Sequence, residues 1–207
     1  MHPEKNIVLG LCTANRCRSQ MFEAIMKHFA SGQFEVISAG TKATFVHPLA
    51  IKGLAEIGIS TQGQISKKIV ALDPVQDKLI LADQNGQQIE YPLSMIKQVV
   101  TLCGGAKESC PLFPGKVHRE HWPIDDPDQY SGNESEVLPY FRASRDDILN
   151  RVKIFINSNK GRWTRMTKQT LWQKVLAKID QYLQKKSIEQ SNNCCSGSKK
   201  GDSSCCK

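Results

Sequence analysis

The sequence predicts an α/β fold, a four-stranded parallel sheet flanked by helices on both faces. Three observations carry that prediction. Short apolar, β-branched runs alternate with segments of helical spacing up to about residue 156. The first of these runs is almost continuously apolar, as a strand covered on both faces is. A polar turn joins that run directly to a helical segment, the place where open parallel sheets bind ligands at the carboxyl ends of their strands.

The elements follow in order. Residues 6–11 read as a buried strand, with Ile7, Val8, Leu9 and Leu11. Residues 20–30 carry apolar side chains at 21, 22, 25, 26 and 29, one face of a helix. Residues 34–37 are a second strand, ending at Ser38-Ala39-Gly40. Pro48 opens a helix that runs through Ile57, and Gly58 stops it. Residues 98–102 and 117–122 are the third and fourth strands, and residues 138–156 return to helical spacing and close the domain.

Residues 72–97 interrupt this alternation. Within them, residues 78–83 and 87–91 flank Gln84-Asn85-Gly86, and Asn-Gly between β-prone runs signals a hairpin. The expectation is an inserted β-hairpin, most simply a tolerated surface insertion. The main domain extends to residue 161. Residues 162–187 add an amphipathic helix, with Leu171, Val175, Leu176, Ile179, Tyr182 and Leu183 on one stripe, that packs on the core or meets a partner. Residues 188–207 are Ser, Asn, Gly, Lys and Cys, a composition expected to be disordered.

Composition narrows the function. The chain has 207 residues, 40% of them apolar, and no apolar run of the ~18 residues a membrane span needs. No apolar stretch of signal-peptide length precedes Cys12, so a cytoplasmic protein is expected. In that setting eight cysteines argue for catalysis or metal and metalloid binding rather than a disulfide framework. The net charge of +8 is localised: residues 162–207 hold ten basic and three acidic side chains, a net +7, leaving +1 for the rest. A nearly neutral core gives no electrostatic support for binding nucleic acid.

Residues 12–19, Cys-Thr-Ala-Asn-Arg-Cys-Arg-Ser, carry the chemistry. A turn between strand and helix points successive backbone N–H groups into one concavity, and the helix N-terminus adds positive potential. A tetrahedral oxyanion sits well there, and Arg18 can grip two of its oxygens in a fork. The same field favours the thiolate of Cys12, the nucleophilic form. Thr13, Ala14, Asn15, Arg16 and Cys17 complete the loop, and Asn15 and Ser19 are residues that can cap the helix.

This motif resembles the nucleophile loop of the low-molecular-weight tyrosine phosphatase fold, and within that superfamily the thioredoxin-coupled arsenate reductases. The matching blocks are residues 12–20, Ser38-Ala39-Gly40, residues 99–104, Cys110-Pro111 and His121-Trp122 running into Asp125-Asp126-Pro127. In the phosphatases a proline usually follows the Arg-Ser pair; Gln20 follows here, as in the reductases. Ala14 departs from both groups, which usually carry glycine, and adds strain if that position needs φ > 0.

The resemblance implies arsenate or a phosphate-like oxyanion as substrate, Cys12 as nucleophile, Arg18 as clamp, Asn15 as a hydrogen-bonding brace of the loop and Ser19 as a donor to the Cys12 thiolate. It gives Asp126 as general acid, with Asp125 as the adjacent competitor. It makes Cys103 and Cys110 a redox pair that passes electrons from thioredoxin, with no cofactor; a buried core cysteine is the alternative for Cys103. A phosphatase needs only Cys12, Arg18 and Asp126, and hydrolysis of phosphate esters is the first alternative function. The second starts from the tail, where Cys194, Cys195, Cys205 and Cys206 could capture arsenite or another soft metal ion. His47, His118 and His121 lack metal-ligand spacing and read as surface or packing residues.

Overall fold

The computed structural model describes residues 5–30, 32, 34–104, 113, 117–159 and 184. The expected helix at 162–187, the tail at 188–207 and Cys110 fall outside the described residues, apart from Gln184. The chain divides into two units, 1–158 and 159–207.

The parallel sheet has four strands, β1 (Ile7–Leu11), β2 (Glu35–Ala39), β6 (Ile96–Thr101) and β7 (His118–His121), in the spatial order β2-β1-β6-β7. Central β1 pairs with both neighbours, Leu9 lying opposite Ile37 on one side and Val99 on the other. The β1 residues are all buried, which is why this strand reads as a continuous apolar run.

The two faces of β1 meet different partners because side chains alternate across a strand. Gly10 faces helix α1 (Arg18–Ala30), and a Cβ placed there would lie 2.4 Å from the Phe22 ring. Only glycine lets that aromatic settle on the sheet. On the same side Trp122 makes edge contacts with Phe22 and with Phe155, the latter on a helix spanning residues 134–159. Helix α2 (Pro48–Ala55) packs beside that long helix, with Arg145 donating to the carbonyl of Gly53 and Arg142 paired with Glu56.

The opposite face of β1, Ile7, Leu9 and Leu11, belongs to a cluster with Ile37, Val99, Leu79 and Leu81. Leu79 and Leu81 come from the inserted region, and both are fully buried. The insertion is therefore larger than the expected hairpin. It is a three-stranded antiparallel sheet, β3 (Lys67–Asp73), β4 (Lys78–Asp83) and β5 (Gln88–Pro92), in that spatial order. The Asn85-Gly86 turn lies where expected, with Gly86 at φ +82° and Asp83 accepting from the backbone N–H groups of Asn85 and Gln87. The reading of a tolerated surface insertion does not hold. The β4 side chains alternate, and the inward set completes the core over one face of the parallel sheet. Strand β3 escaped sequence reading because it opens on Lys67-Lys68 and pairs through a bulge at Val70.

Candidate active site

The loop after β1 is shaped by where its carbonyls go. Thr13 O accepts from the backbone N–H groups of Thr41 and Lys42, Ala14 O from Ser66 Oγ, and Asn15 O from Gln20 Nε2. Arg16 O accepts from His47 N and Cys17 O from Met21 N. All five carbonyls point outward into the scaffold. In a trans peptide the following N–H points the opposite way, so the N–H groups of residues 14–18 turn inward. Asn15 N–H accordingly donates to Cys12 Sγ at 3.2 Å.

The left-handed residue of the loop is Asn15, at φ +46°, a conformation asparagine tolerates. Ala14 is outside the left-handed region, so the strain considered for it does not arise. Gly40, at the end of β2, lets the loop come close: a Cβ there would stand 2.6 Å from Thr13 O and 2.8 Å from Asn15 N.

Around this loop lies a cavity of about 550 Å³ lined by Cys12, Thr13, Ala14, Arg16, Cys17, Arg18, Thr41, Lys42, Asp126, Asp128 and Gln129. Cys12 is buried, and Ser19 Oγ stands 2.8 Å from its sulfur. Arg18 is 3% exposed and donates to the carbonyls of Leu102 and Ile124 and to Asp126 Oδ2 at 2.7 Å. Those carbonyls fix the guanidinium plane at the mouth of the loop, and Asp126 is held against it. Asp125 is exposed and absent from the cavity lining, so of the two neighbouring carboxylates Asp126 is the one the structure brings in.

Other expected residues take different places. Arg16 leans outward, paired with Asp128 at 3.0 Å and stacked over Phe45. Cys17 stays a thiol, because burial and then the carboxylates of Asp128 and Asp126 push it far up. Cys103 is buried one residue beyond Leu102, whose N–H donates to Leu11 O. That hydrogen bond sets the ends of β1 and β6 side by side, with Cys12 and Cys103 just past them. Cys103 is disulfide-bonded, while Cys12 and Cys17 are free. Cys110, Cys194, Cys195, Cys205 and Cys206 lie outside the described residues. Among the described residues no three His, Cys, Asp or Glu side chains gather as a metal site would require.

Sequence reading missed one group of residues that line the cavity. Thr41, Lys42 and Asp128 line the cavity from separate segments, and nothing in their spacing signals it. Glu23, Ser38 and Lys67 gather under the loop from α1, β2 and β3. Ser38 stood within a matching block, and Lys67 is the first residue of β3.

The match to known proteins follows the same outline. The family model described as low molecular weight phosphotyrosine protein phosphatase matches residues 7–170. The chain is 39% identical over 157 residues to an arsenate reductase of Bacillus subtilis (strain 168), covering 76% of this chain and 99% of that one. It is 40% identical over 156 residues to an arsenate reductase of Shouchella clausii (strain KSM-K16), covering 75% and 99%. Among solved structures it resembles an arsenate reductase in the phosphate-binding state, with TM-score 0.52 and 29% identity, over 74% of this chain and 98% of that chain. With its parallel sheet, its Cys12–Ser19 loop and this family match in agreement, the chain belongs to the low molecular weight phosphotyrosine protein phosphatase family.

Proposed function

We propose that this protein reduces arsenate to arsenite, passing electrons through Cys12, Cys103 and Cys110 from thioredoxin. The observation that carries this reading is Cys103, buried and disulfide-bonded at the end of β6 beside the strand that ends in Cys12. Phosphate-ester hydrolysis has no use for a redox-active thiol there. The names of the relatives point the same way.

The chemistry is written step by step. The Cys12 thiolate attacks arsenic, and a hydroxyl of the arsenate leaves as water after taking a proton from Asp126. Inward N–H groups and the Arg18 fork hold the remaining oxygens, once Arg18 exchanges its contact with Asp126 for the anion. The Cys103 thiolate then attacks Cys12 Sγ. The sulfur–arsenic bond breaks, its electron pair stays on arsenic, and arsenite departs. Cys110 attacks the Cys103 sulfur of the resulting disulfide and frees Cys12. A dithiol of thioredoxin reduces the Cys103–Cys110 disulfide.

Arsenate, thioredoxin, thioredoxin reductase and NADPH test the reading together. Steady NADPH consumption is expected with the native chain and none beyond a single turnover with Cys103→Ser or Cys110→Ser. Hydrolysis of an aryl phosphate is expected to survive both substitutions. In Cys110→Ser a Cys12–Cys103 disulfide should accumulate after arsenate is added. Peptide mapping without that bond, or equal NADPH consumption by all three proteins, refutes the relay.

A further inference from the structure

The polar side chains beneath the loop form one unbroken line from a buried charge pair to the nucleophile. Lys67 Nζ lies 3.5 Å from Glu23 Oε2, and these residues are 4% and 2% exposed. Glu23 Oε2 accepts from Ser38 Oγ at 2.6 Å, and Ser38 Oγ accepts from Asn15 Nδ2 at 2.8 Å. Asn15 Nδ2 also donates to Ser19 Oγ at 2.9 Å, and Ser19 Oγ stands 2.8 Å from Cys12 Sγ.

Every proton on this line has a direction. Asn15 directs both carboxamide hydrogens at the two serines, so each hydroxyl accepts there and has a single hydrogen of its own. Ser38 gives its hydrogen to Glu23. Ser19 is left to give its hydrogen to the sulfur, a donation that strengthens when the sulfur is anionic.

Two conditions keep that direction. The Asn15 carboxamide must not flip, and its Oδ1 is held by Lys67 N–H at 2.6 Å and Gln20 Nε2 at 2.9 Å. Glu23 must stay ionised, because a protonated Oε2 would donate to Ser38 and reverse the line. Lys27 also reaches Glu23 through Oε1, but its side chain is about half exposed and the pair is screened. Lys67 is the buried countercharge, further tied by Nζ to Ile65 O at 2.9 Å.

We propose that Lys67 is a positioning residue for Cys12: its backbone N–H orients Asn15 and its ammonium keeps Glu23 an acceptor, so that the Ser19 hydroxyl points at the sulfur. The proposal takes from the functional reading that Cys12 is the nucleophile, and it gives β3 a task, since Lys67 is its first residue. Burial holds the Lys67 ammonium below the ordinary lysine range, and the Glu23 carboxylate opposes that shift.

Alkylation of Cys12 by iodoacetamide tests this without arsenate. The reduced full-length chain is treated between pH 5 and 9, and the Cys12 peptide is followed by mass spectrometry. Lys67→Met and Ser38→Ala are each expected to slow the reaction at pH 6 on the order of tenfold, the loss of one hydrogen bond to a charged group. Their rates should converge on the native rate at the alkaline end. Lys67→Arg, which keeps the charge, should stay near native throughout. A native rate in folded Lys67→Met, or in Ser38→Ala, overturns the proposal. A Lys67→Arg protein as slow as Lys67→Met also overturns it, by showing that shape and not charge matters. If Lys67→Met does not fold by circular dichroism, Ser38→Ala decides alone. Failure of the reductase reading would look different: normal Cys12 alkylation in the native chain with no arsenate-dependent NADPH consumption.

Discussion

At the scale of single residues the site is a device for holding charge around one sulfur. Cys12→Ser removes the ionisable group, so arsenate reduction and aryl phosphate hydrolysis should both fall by at least about 1000-fold. Substantial turnover in either assay excludes Cys12 as the nucleophile. Arg18→Lys replaces a fork with a point charge, and the Leu102 and Ile124 carbonyls that fix the guanidinium lose their partner. A loss of about 100-fold or more in kcat/KM is expected, and near-native kinetics would rule out the clamp. Both residues were readable in the sequence, because a cysteine and an arginine six positions apart at a strand–helix junction leave little chemical choice. Asp126 was readable only through resemblance. Its contact with Arg18 depends on a chain reversal that no local spacing encodes.

At the scale of elements, helix α2 carries an acid-sensitive cap. His47 Nδ1 accepts from Leu49 N–H, so that nitrogen must be unprotonated, and the other ring nitrogen faces Asp128. Burial, then the Arg16 guanidinium, hold His47 below its ordinary value of 6.5, with Asp128 opposing them. The unfolded chain therefore binds more protons than the folded one between the lowered value and 6.5. Stability rises with pH across that window, and the His47 contribution is lost as pH falls through it. Urea unfolding at pH 7.5 and 5.5 should show a smaller acid loss in His47→Asn than in the native chain, since asparagine caps without titrating. A side-chain cap is worth about 1 kcal/mol, which bounds the difference. Identical acid losses would show that His47 takes up its proton equally in the folded and unfolded chains. The sequence marked Pro48 as the helix start correctly, but it left the histidine before it as a surface or packing residue.

At the scale of the molecule, the inserted sheet is part of the core. Leu81 is fully buried against β1 and β6 side chains, so Leu81→Ala should cost about 2–5 kcal/mol in urea unfolding. A surface insertion would give a change within about 0.5 kcal/mol. The carboxyl-terminal stretch makes the opposite case. Residues 188–207 hold four of the eight cysteines and almost no apolar side chains. Deleting them should leave arsenate turnover nearly unchanged and weaken arsenite binding by the reduced protein, measured by calorimetry. Unchanged arsenite affinity rejects capture by Cys194, Cys195, Cys205 and Cys206. A large loss of turnover would place these thiols in the electron relay.

The sequence by itself determined the parallel sheet, the position of the nucleophile loop and the Asn85-Gly86 turn. Each of these rests on local physics: apolar period, a polar junction between strand and helix, and a dipeptide that accepts a left-handed turn. It also located Cys103, through a strand whose end could be counted. Only the tertiary structure decided that Leu79 and Leu81 complete the core, that Asp126 rather than Asp125 meets Arg18, and that Lys67 lies against Glu23. Those are contacts between segments tens of residues apart. They form because β1 is covered on both faces at once, and that demand brings β3 and the turn at Asp126 to the same end of the sheet.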